Sequence, residues 1–367
     1  MNHNLLYSIA LTAIPNIGYI TAKKLIAYCG SAEQVFKEKK TALEKIPGIG
    51  EVNAQNIIQN KAFALSLAEN ELVFIEKHHI NAYTFFDENY PKRLTHCEDG
   101  PLVIFTKGEF NFNAPKVISI VGTRNATEYG KAFCEKLMEE LVPHHPLIVS
   151  GLAFGIDICA HKAAIKNNLP TIAALAHGLD RIYPNIHTST AKQMMENGGL
   201  ISDFRSGTNP DRENFPKRNR LVAGIADVTI VVESSNKGGS LITAELANSY
   251  SRDVFALPGR VTDSQSEGCN ALIKQNKAHL IQSVKDLEYI MGWKAEDAAK
   301  PNQTRLFVDL TPEEKGLVDL LSKQEKIGID DLALLAKLPM SKTASLLLEM
   351  EFKNVVKALP GKMYKLV

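Results

Sequence analysis

Val117-Ile118-Ser119-Ile120-Val121-Gly122-Thr123-Arg124 decides the fold: an apolar, β-branched run breaks directly into a glycine turn that carries a guanidinium. The run reads as a buried strand. Beyond the turn, Phe133, Leu137 and Leu141 recur every four residues, the period of a helix with one apolar face. The unit then repeats. Leu147-Ile148-Val149-Ser150 is a second strand, and Gly151-Leu152-Ala153-Phe154-Gly155-Ile156-Asp157 leads it into another helix. Strand–turn–helix units in series build a parallel sheet. Its carboxyl edge collects turn N–H groups and helix N-termini, the groups that bind anions.

A lone glycine after a strand is often only a tight turn. Neither turn carries the dinucleotide fingerprint, because Arg124 stands where its second glycine belongs. A guanidinium there obstructs a closely docked pyrophosphate, but suits a single phosphate gripped by a planar fork. The edge is therefore expected to take the phosphates of a polymer or a nucleotide rather than NAD.

Further strands are expected at 171–175, 200–202, 228–232 and 254–257, with Leu280-Ile281 a short last one; helical patterns separate most of them. They place a doubly wound α/β domain over residues 115–292. A connecting segment, 71–114, holds Tyr90-Pro91 and an expected edge strand at Gly100-Pro101-Leu102-Val103-Ile104-Phe105. Residues 1–70 contain a weak repeat, in which Ile14-Pro15-Asn16-Ile17-Gly18 and Ile46-Pro47-Gly48-Ile49-Gly50 each precede a helix. That is the pattern of tandem helix-hairpin-helix units, whose hairpin N–H groups can hold a phosphate. Seven lysines against five acids leave DNA binding by this region an even choice. Residues 293–310 are polar and read as a linker. Residues 311–367 begin with the cap Thr311-Pro312-Glu313-Glu314 and continue as three helices and a terminal hairpin, a winged-helix arrangement. Its nine lysines meet eight acids, and Glu349 and Glu351 lie on the third helix. A packing or protein-binding module fits this better than a DNA-reading one.

A second basic cluster is Asn214-Phe215-Pro216-Lys217-Arg218-Asn219-Arg220, with Pro216 in a first helical turn. Lys217, Arg218 and Arg220 are expected to reach phosphates, and Phe215 offers a base a flat face. The competing reading is a solvated, salt-bridged helix start. A third loop, Lys237-Gly238-Gly239-Ser240, makes another anion nest at a helix start. The expected DNA-contacting set is thus Gly122, Thr123, Arg124, Ser150, Gly151, Phe154, Gly155, Phe215, Lys217, Arg218, Arg220, Lys237, Gly238, Gly239 and Ser240. No catalytic residue, metal ligand or cofactor is expected. Asp157 and His161 share a helix face, but a capping Asp and a packed His explain them more simply. Cys269, near a helix start, reads as a packed thiol.

The composition is that of an ordinary globular protein: 367 residues, 45% hydrophobic, 23% charged, net charge +1. Affinity for nucleic acid has to come from local clustering, not a global field. Five widely spaced cysteines without a C-x-x-C pair suggest reduced thiols in the cytoplasm. No signal peptide and no membrane span is expected.

These residues resemble the DNA-processing protein A (DprA, or Smf) family. The likeness rests on Gly122-Thr123-Arg124 with Tyr129-Gly130, on Ser150 through Asp157, and on Ala160-His161 and Gly178-Leu179-Asp180 with Tyr183-Pro184. It continues in Phe215 through Gly224, Gly239 through Ala244, Pro258-Gly259 and Gly268-Cys269-Asn270. His177 stands where the family often has glycine, and Asp203 where it often has glutamate. The resemblance implies an extended Rossmann-like domain between a helix-hairpin-helix domain and a winged helix. It implies a homodimer, formed through that domain, that binds and protects incoming single-stranded DNA and loads the recombinase RecA in natural transformation. No enzymatic activity follows from it. The alternative is a nucleotide phosphoribohydrolase-like enzyme of the same superfamily fold, with Glu245 behind the glycine nest.

Overall fold

The computed structural model describes residues 3–294, 310–322, 326–353, 355–359 and 361–366. The chain divides into two units, residues 1–296 and 297–367. The linker expected at 293–310 lies, but for Trp293, Lys294 and Leu310, outside the described residues.

The first unit opens with five helices, α1 (His3–Thr12), α2 (Tyr19–Cys29), α3 (Ala32–Lys37), α4 (Lys40–Leu43) and α5 (Glu51–Lys77). Gly18 and Gly50 precede α2 and α5 as the two hairpin motifs require. The 27-residue α5 runs unbroken across position 70, where the sequence suggests a boundary.

A nine-stranded sheet follows, made of β1 (Asn81–Thr84), β2 (Val103–Glu109), β3 (Val117–Val121), β4 (Leu147–Ser150), β5 (Thr171–Ala174), β6 (Gly198–Ser202), β7 (Val228–Val231), β8 (Asp253–Ala256) and β9 (His279–Leu280). Its order is β1-β2-β6-β5-β4-β3-β7-β8-β9, with β3 to β9 parallel and β1 and β2 antiparallel. The strand expected near 100–105 is therefore not the edge: β2 lies between β6 and β1, and β1 takes the edge. Val103 to Phe105 are buried on both faces, which an edge strand facing water would not allow.

The helices are α6 (Lys92–Thr95), α7 (Glu128–Leu141), α8 (Ile156–Lys166), α9 (Thr188–Met194), α10 (Asn214–Gly224), α11 (Gly239–Ser249), α12 (Glu267–Lys274) and α13 (Val284–Met291). Alternate residues of β3 serve opposite faces. Ile118 and Ile120 pack with Phe133, Leu137 and Leu287 under α7, α8 and α13. Val117 and Val121 pack with Leu221, Ala244 and Leu272 under α10, α11 and α12. At the middle of the sheet Ser119 donates to Thr229 Oγ1 at 2.8 Å. Strand order reverses between β3 and β7, so the crevice at their carboxyl ends is the topological switch point.

The second unit holds α14 (Pro312–Leu321), β10 (Ile327–Gly328), α15 (Ile329–Ala336), α16 (Met340–Phe352), β11 (Val356–Leu359) and β12 (Met363–Leu366). The strands form a sheet in the order β10-β12-β11, the winged-helix arrangement the sequence suggests. Thr311 caps α14, accepting from Glu314 N, while the Glu314 carboxylate accepts from Thr311 N at 2.7 Å.

Candidate nucleic-acid interface

A cleft of about 690 Å³ occupies the switch point. Three loops build its floor, and they are stitched to one another. Thr123 N donates to Glu233 O at 2.7 Å, and Ile156 N donates to Thr123 O at 3.1 Å. Gly155 has φ +77°, and a Cβ there would meet Thr123 O at 2.1 Å; only glycine allows the second loop to lie against the first. The Glu233 carboxylate accepts from both the N–H and the hydroxyl of Thr127, which caps α7. Gly155 before α8 and Gly238 before α11 supply no side-chain cap. At α8 the N–H groups of Ile156 and Ile158 are taken by Thr123 O and Ala153 O, whereas α11 opens on the cleft at Gly238, Gly239 and Ser240, a helix start suited to an anion.

Arg124 is exposed on the rim, and its guanidinium carbon lies 5.3 Å from the centre of the Phe215 ring. Tyr183 continues this surface, its ring 6.2 Å from Phe215. Arg212 lines the cleft beside them. Among the described residues neither Arg124 nor Arg212 enters an ion pair, so both charges are available. Gly122, Thr123, Gly238, Gly239 and Ser240 also line the cleft; the Ser240 hydroxyl itself is committed to Ser234 Oγ at 2.9 Å.

Other expected contacts lie elsewhere. Arg218 lines the back of the cleft but is buried, 4% exposed, and donates to the carbonyls of Gly151 and Ala174 at the ends of β4 and β5. Burial lowers its pKa, which the Asp157 carboxylate opposes. Arg218 is a brace for the loop backbone, not a free phosphate fork. Arg220 points away from the cleft. It donates to Asp99 O at 2.6 Å, pairs with Asp203 and lies 4.2 Å from the Tyr19 ring. Burial disfavours its charge, but Asp203, Tyr19 and Asp99 together more than offset this and hold its pKa above the ordinary value. Lys217 is exposed on that same side of α10, 3.6 Å from Glu213. Ser150 is buried and donates to Ile120 O at 2.6 Å, and Gly151 is covered by Arg218. Phe154 is exposed outside the cleft lining, its ring 5.0 Å from that of His187. Lys237 is exposed beside the cleft, on the loop before α11.

The carboxylate that lines the cleft is Asp157, raised in pKa by burial and opposed by Arg218; it accepts from Ala153 N at 3.3 Å, as a cap does. His161 is fully buried against Thr171 Oγ1 at 2.8 Å, and burial pushes its pKa down to about 3. Glu245 faces outward, 3.9 Å from Lys277. Among the described residues no three His, Cys, Asp or Glu side chains are grouped to hold a metal ion, and no helix is long and apolar enough to cross a membrane. Arg212, Tyr183 and Asn219 line the cleft although they are not among the expected DNA contacts.

Three family descriptions match the chain: DNA recombination-mediator protein A over residues 81–291, a SAM-like helix-hairpin-helix tandem over 8–60, and a DprA winged helix domain over 298–362. Protein Smf of Synechocystis is 33% identical over 293 residues, covering 78% of this chain and 72% of its own length. The X-ray structure of DNA processing protein A from Streptococcus pneumoniae superposes with a TM-score of 0.65 at 30% identity, covering 77% of this chain and 97% of that one. A structure of DNA processing protein A from Helicobacter pylori, which concerns that protein's single-stranded DNA binding mode, gives a TM-score of 0.52 at 31% identity over 58% of this chain and 97% of that one.

Proposed function

The chain belongs to the DprA/Smf family of DNA recombination-mediator proteins, and from that premise we propose that the cleft between β3 and β7 binds single-stranded DNA for delivery to the recombinase RecA during natural transformation. One observation carries the reading: the Arg124 guanidinium lies over the Phe215 ring in the cleft onto which the uncapped, glycine-bearing start of α11 opens. A flexible strand can place a phosphate on the guanidinium and N–H groups while its base stacks on the adjoining aromatic faces. A duplex keeps its bases stacked inward and offers only phosphates.

The contacts expected to touch DNA are Gly122, Thr123, Arg124, Phe215, Gly238, Gly239 and Ser240, joined by Arg212 and Tyr183; Lys237 adds charge at the margin. Arg218, Ser150 and Gly151 support the loops. The protein acts as a homodimer through its Rossmann-like domain, spanning residues 115–292, in the cytoplasm. In the winged helix, α16 exposes Leu348 and Phe352 and carries Glu349, which suits a protein contact better than a phosphate backbone. The phosphoribohydrolase alternative needs an acid poised against an arginine in the cleft, and Glu245, the residue it would use, faces Lys277 instead.

Fluorescence anisotropy with a labelled mixed-sequence oligonucleotide, alone and as its duplex, tests the proposal. The single strand should bind tighter, with little sequence preference. Equal or tighter duplex binding refutes it and moves the DNA contact to another domain. Release of free base from nucleoside monophosphates would establish the enzymatic alternative. RecA filament growth on strands precoated with single-strand-binding protein tests the delivery step, and an unchanged rate defeats that step alone.

A further inference from the structure

Helices α7 and α8 pack side by side, and their contact brings together two cysteines far apart in sequence. Cys134 on α7 is fully buried, whereas Cys159 on α8 is partly exposed in a cleft of about 330 Å³. The Cys159 thiol donates to the Lys131 carbonyl at 3.8 Å, one turn before Cys134 on α7, and the two thiols interact across the helix contact. Lys131, Lys162 and Lys166 line the same cleft, together with the Glu135 carboxylate. Lys131 is paired with Glu128 and Lys166 with Glu139, while Lys162 enters no ion pair among the described residues. A partly exposed thiol among cations, with a second thiol touching it, is the microenvironment of a reactive cysteine and its resolving partner.

The electrostatics distinguish the two roles. The neighbouring Cys134 thiol lowers the Cys159 pKa, against burial and the Glu135 carboxylate, and Lys131 and Lys162 act with Cys134. The same contact and burial raise Cys134 well above the ordinary thiol value. Cys29, the other partly exposed cysteine, is raised by burial, and Cys97 and Cys269 are buried and raised. Neither Cys134 nor Cys159 lines the DNA cleft.

We propose that Cys159 is a thiol–disulfide exchange site for small disulfides bearing carboxylates, with Cys134 as its resolving thiol. The lysines of the cleft supply the attraction for the carboxylates. The Cys159 thiolate attacks one sulfur of the disulfide; a Cys159–sulfur bond forms, the disulfide bond breaks, and the first thiolate leaves with the electron pair and takes a proton from water. Cys134 then gives up its proton and attacks the Cys159 sulfur. The second thiol departs, and Cys134–Cys159 closes. The protein dithiol is oxidised by two electrons, and one small disulfide is reduced to two thiols.

The full-length protein, reduced and desalted, is mixed with 5,5′-dithiobis(2-nitrobenzoate), a disulfide carrying two carboxylates. Absorbance follows thionitrobenzoate release, and peptide mapping under non-reducing conditions locates the products. In the wild type a fast phase should release two thionitrobenzoates and leave residues 134 and 159 cross-linked. Cys134→Ser should release one in that phase and retain the adduct on Cys159. Cys159→Ser should lose the fast phase, its remaining thiols reacting roughly tenfold more slowly or worse. The inference is overturned if the fast label maps to Cys29, or if the wild type keeps an unresolved adduct on Cys159. The wild-type map decides this even if a variant fails to fold.

Discussion

Arg124 and Arg218 face the same cleft, yet replacing each with alanine should have opposite consequences. Arg218 is buried, donates to the carbonyls of Gly151 and Ala174, and offsets the buried Asp157 carboxylate. Arg218→Ala leaves those two buried acceptors unpaired and removes the cation that opposes the Asp157 carboxylate, a loss of about 3–5 kcal/mol. At about 2–4 °C per kcal/mol for a unit of this size class, the melting temperature should fall by at least about 6 °C. Arg124 is exposed and braces nothing through an ion pair. Arg124→Ala should shift stability by no more than about 0.5 kcal/mol but weaken single-strand binding by about 1–3 kcal/mol, or roughly 5- to 150-fold. Differential scanning fluorimetry and anisotropy on the same preparations separate the two effects. Arg218→Lys, which keeps a charge but not the planar fork, should recover part of the stability at most. Should Arg218→Ala melt like the wild type and lose affinity as Arg124→Ala does, Arg218 reaches the ligand and the brace argument fails.

Salt dependence gives a second measure of the cleft. If Arg124, Arg212 and Lys237 are the cations that meet phosphate, the slope of log affinity against log salt should be about −2, and Arg124→Ala should make it shallower by about 0.7. Titration over 50–300 mM salt would show this, and a slope near zero would remove phosphate contact from the account. Stability should fall in mild acid because of His161, whose folded pKa of about 3 lies below the ordinary 6.5. The unfolded chain binds that proton first, so the contribution is complete above pH 6.5 and is lost as pH falls toward 3. Urea unfolding at pH 7 and pH 5 should show the wild type losing about 2 kcal/mol more than His161→Gln. Glu71 of α5 accepts from Ser206 N at 3.0 Å and from the Ser206 hydroxyl, tying the helical region to the loop after β6. Glu71→Ala should cost about 1–3 kcal/mol in urea unfolding without altering single-strand affinity. A fragment of residues 1–294 should keep that affinity, whereas one starting at 110 should aggregate, since it strips β2 from β6 and opens a buried strand edge.

How much of this was legible in the sequence depended on whether chemistry or direction was being read. The strands at 117–121 and 147–150 announced themselves by apolar runs ending in glycine, and the structure has them within those limits. β1, Asn81-Ala82-Tyr83-Thr84, gave no such signal: it is four residues long, has one fully buried position, and owes its conformation to pairing with β2. The glycine cradles were legible because backbone close to backbone excludes a Cβ, as at Gly155. Direction was harder. Lys217, Arg218 and Arg220 form one basic run on paper, but a helix turns about 100° per residue. That rotation carries Arg218 with Phe215 and Asn219 toward the cleft, and carries Lys217 and Arg220 toward Tyr19. The period alone contains this division, once α10 is taken to start at Asn214.

What the period does not contain is the partner waiting on each side. Arg220 meets Asp203, placed by β6, and Tyr19, placed by α2 some two hundred residues earlier in the chain. Arg218 meets carbonyls of β4 and β5. In both cases a charge in a basic cluster is spent on holding elements together, and its burial is tolerable only because the counter-charge and acceptors are already there. Arg124 has no such partner among the described residues, and it stands on a turn whose backbone is fixed by Glu233 and Gly155. A cluster of like charges in a sequence therefore has to be divided by what each member can reach before any of it is assigned to a ligand. The cation whose fold leaves it exposed and unpaired on a rigid support is the one free to take a phosphate.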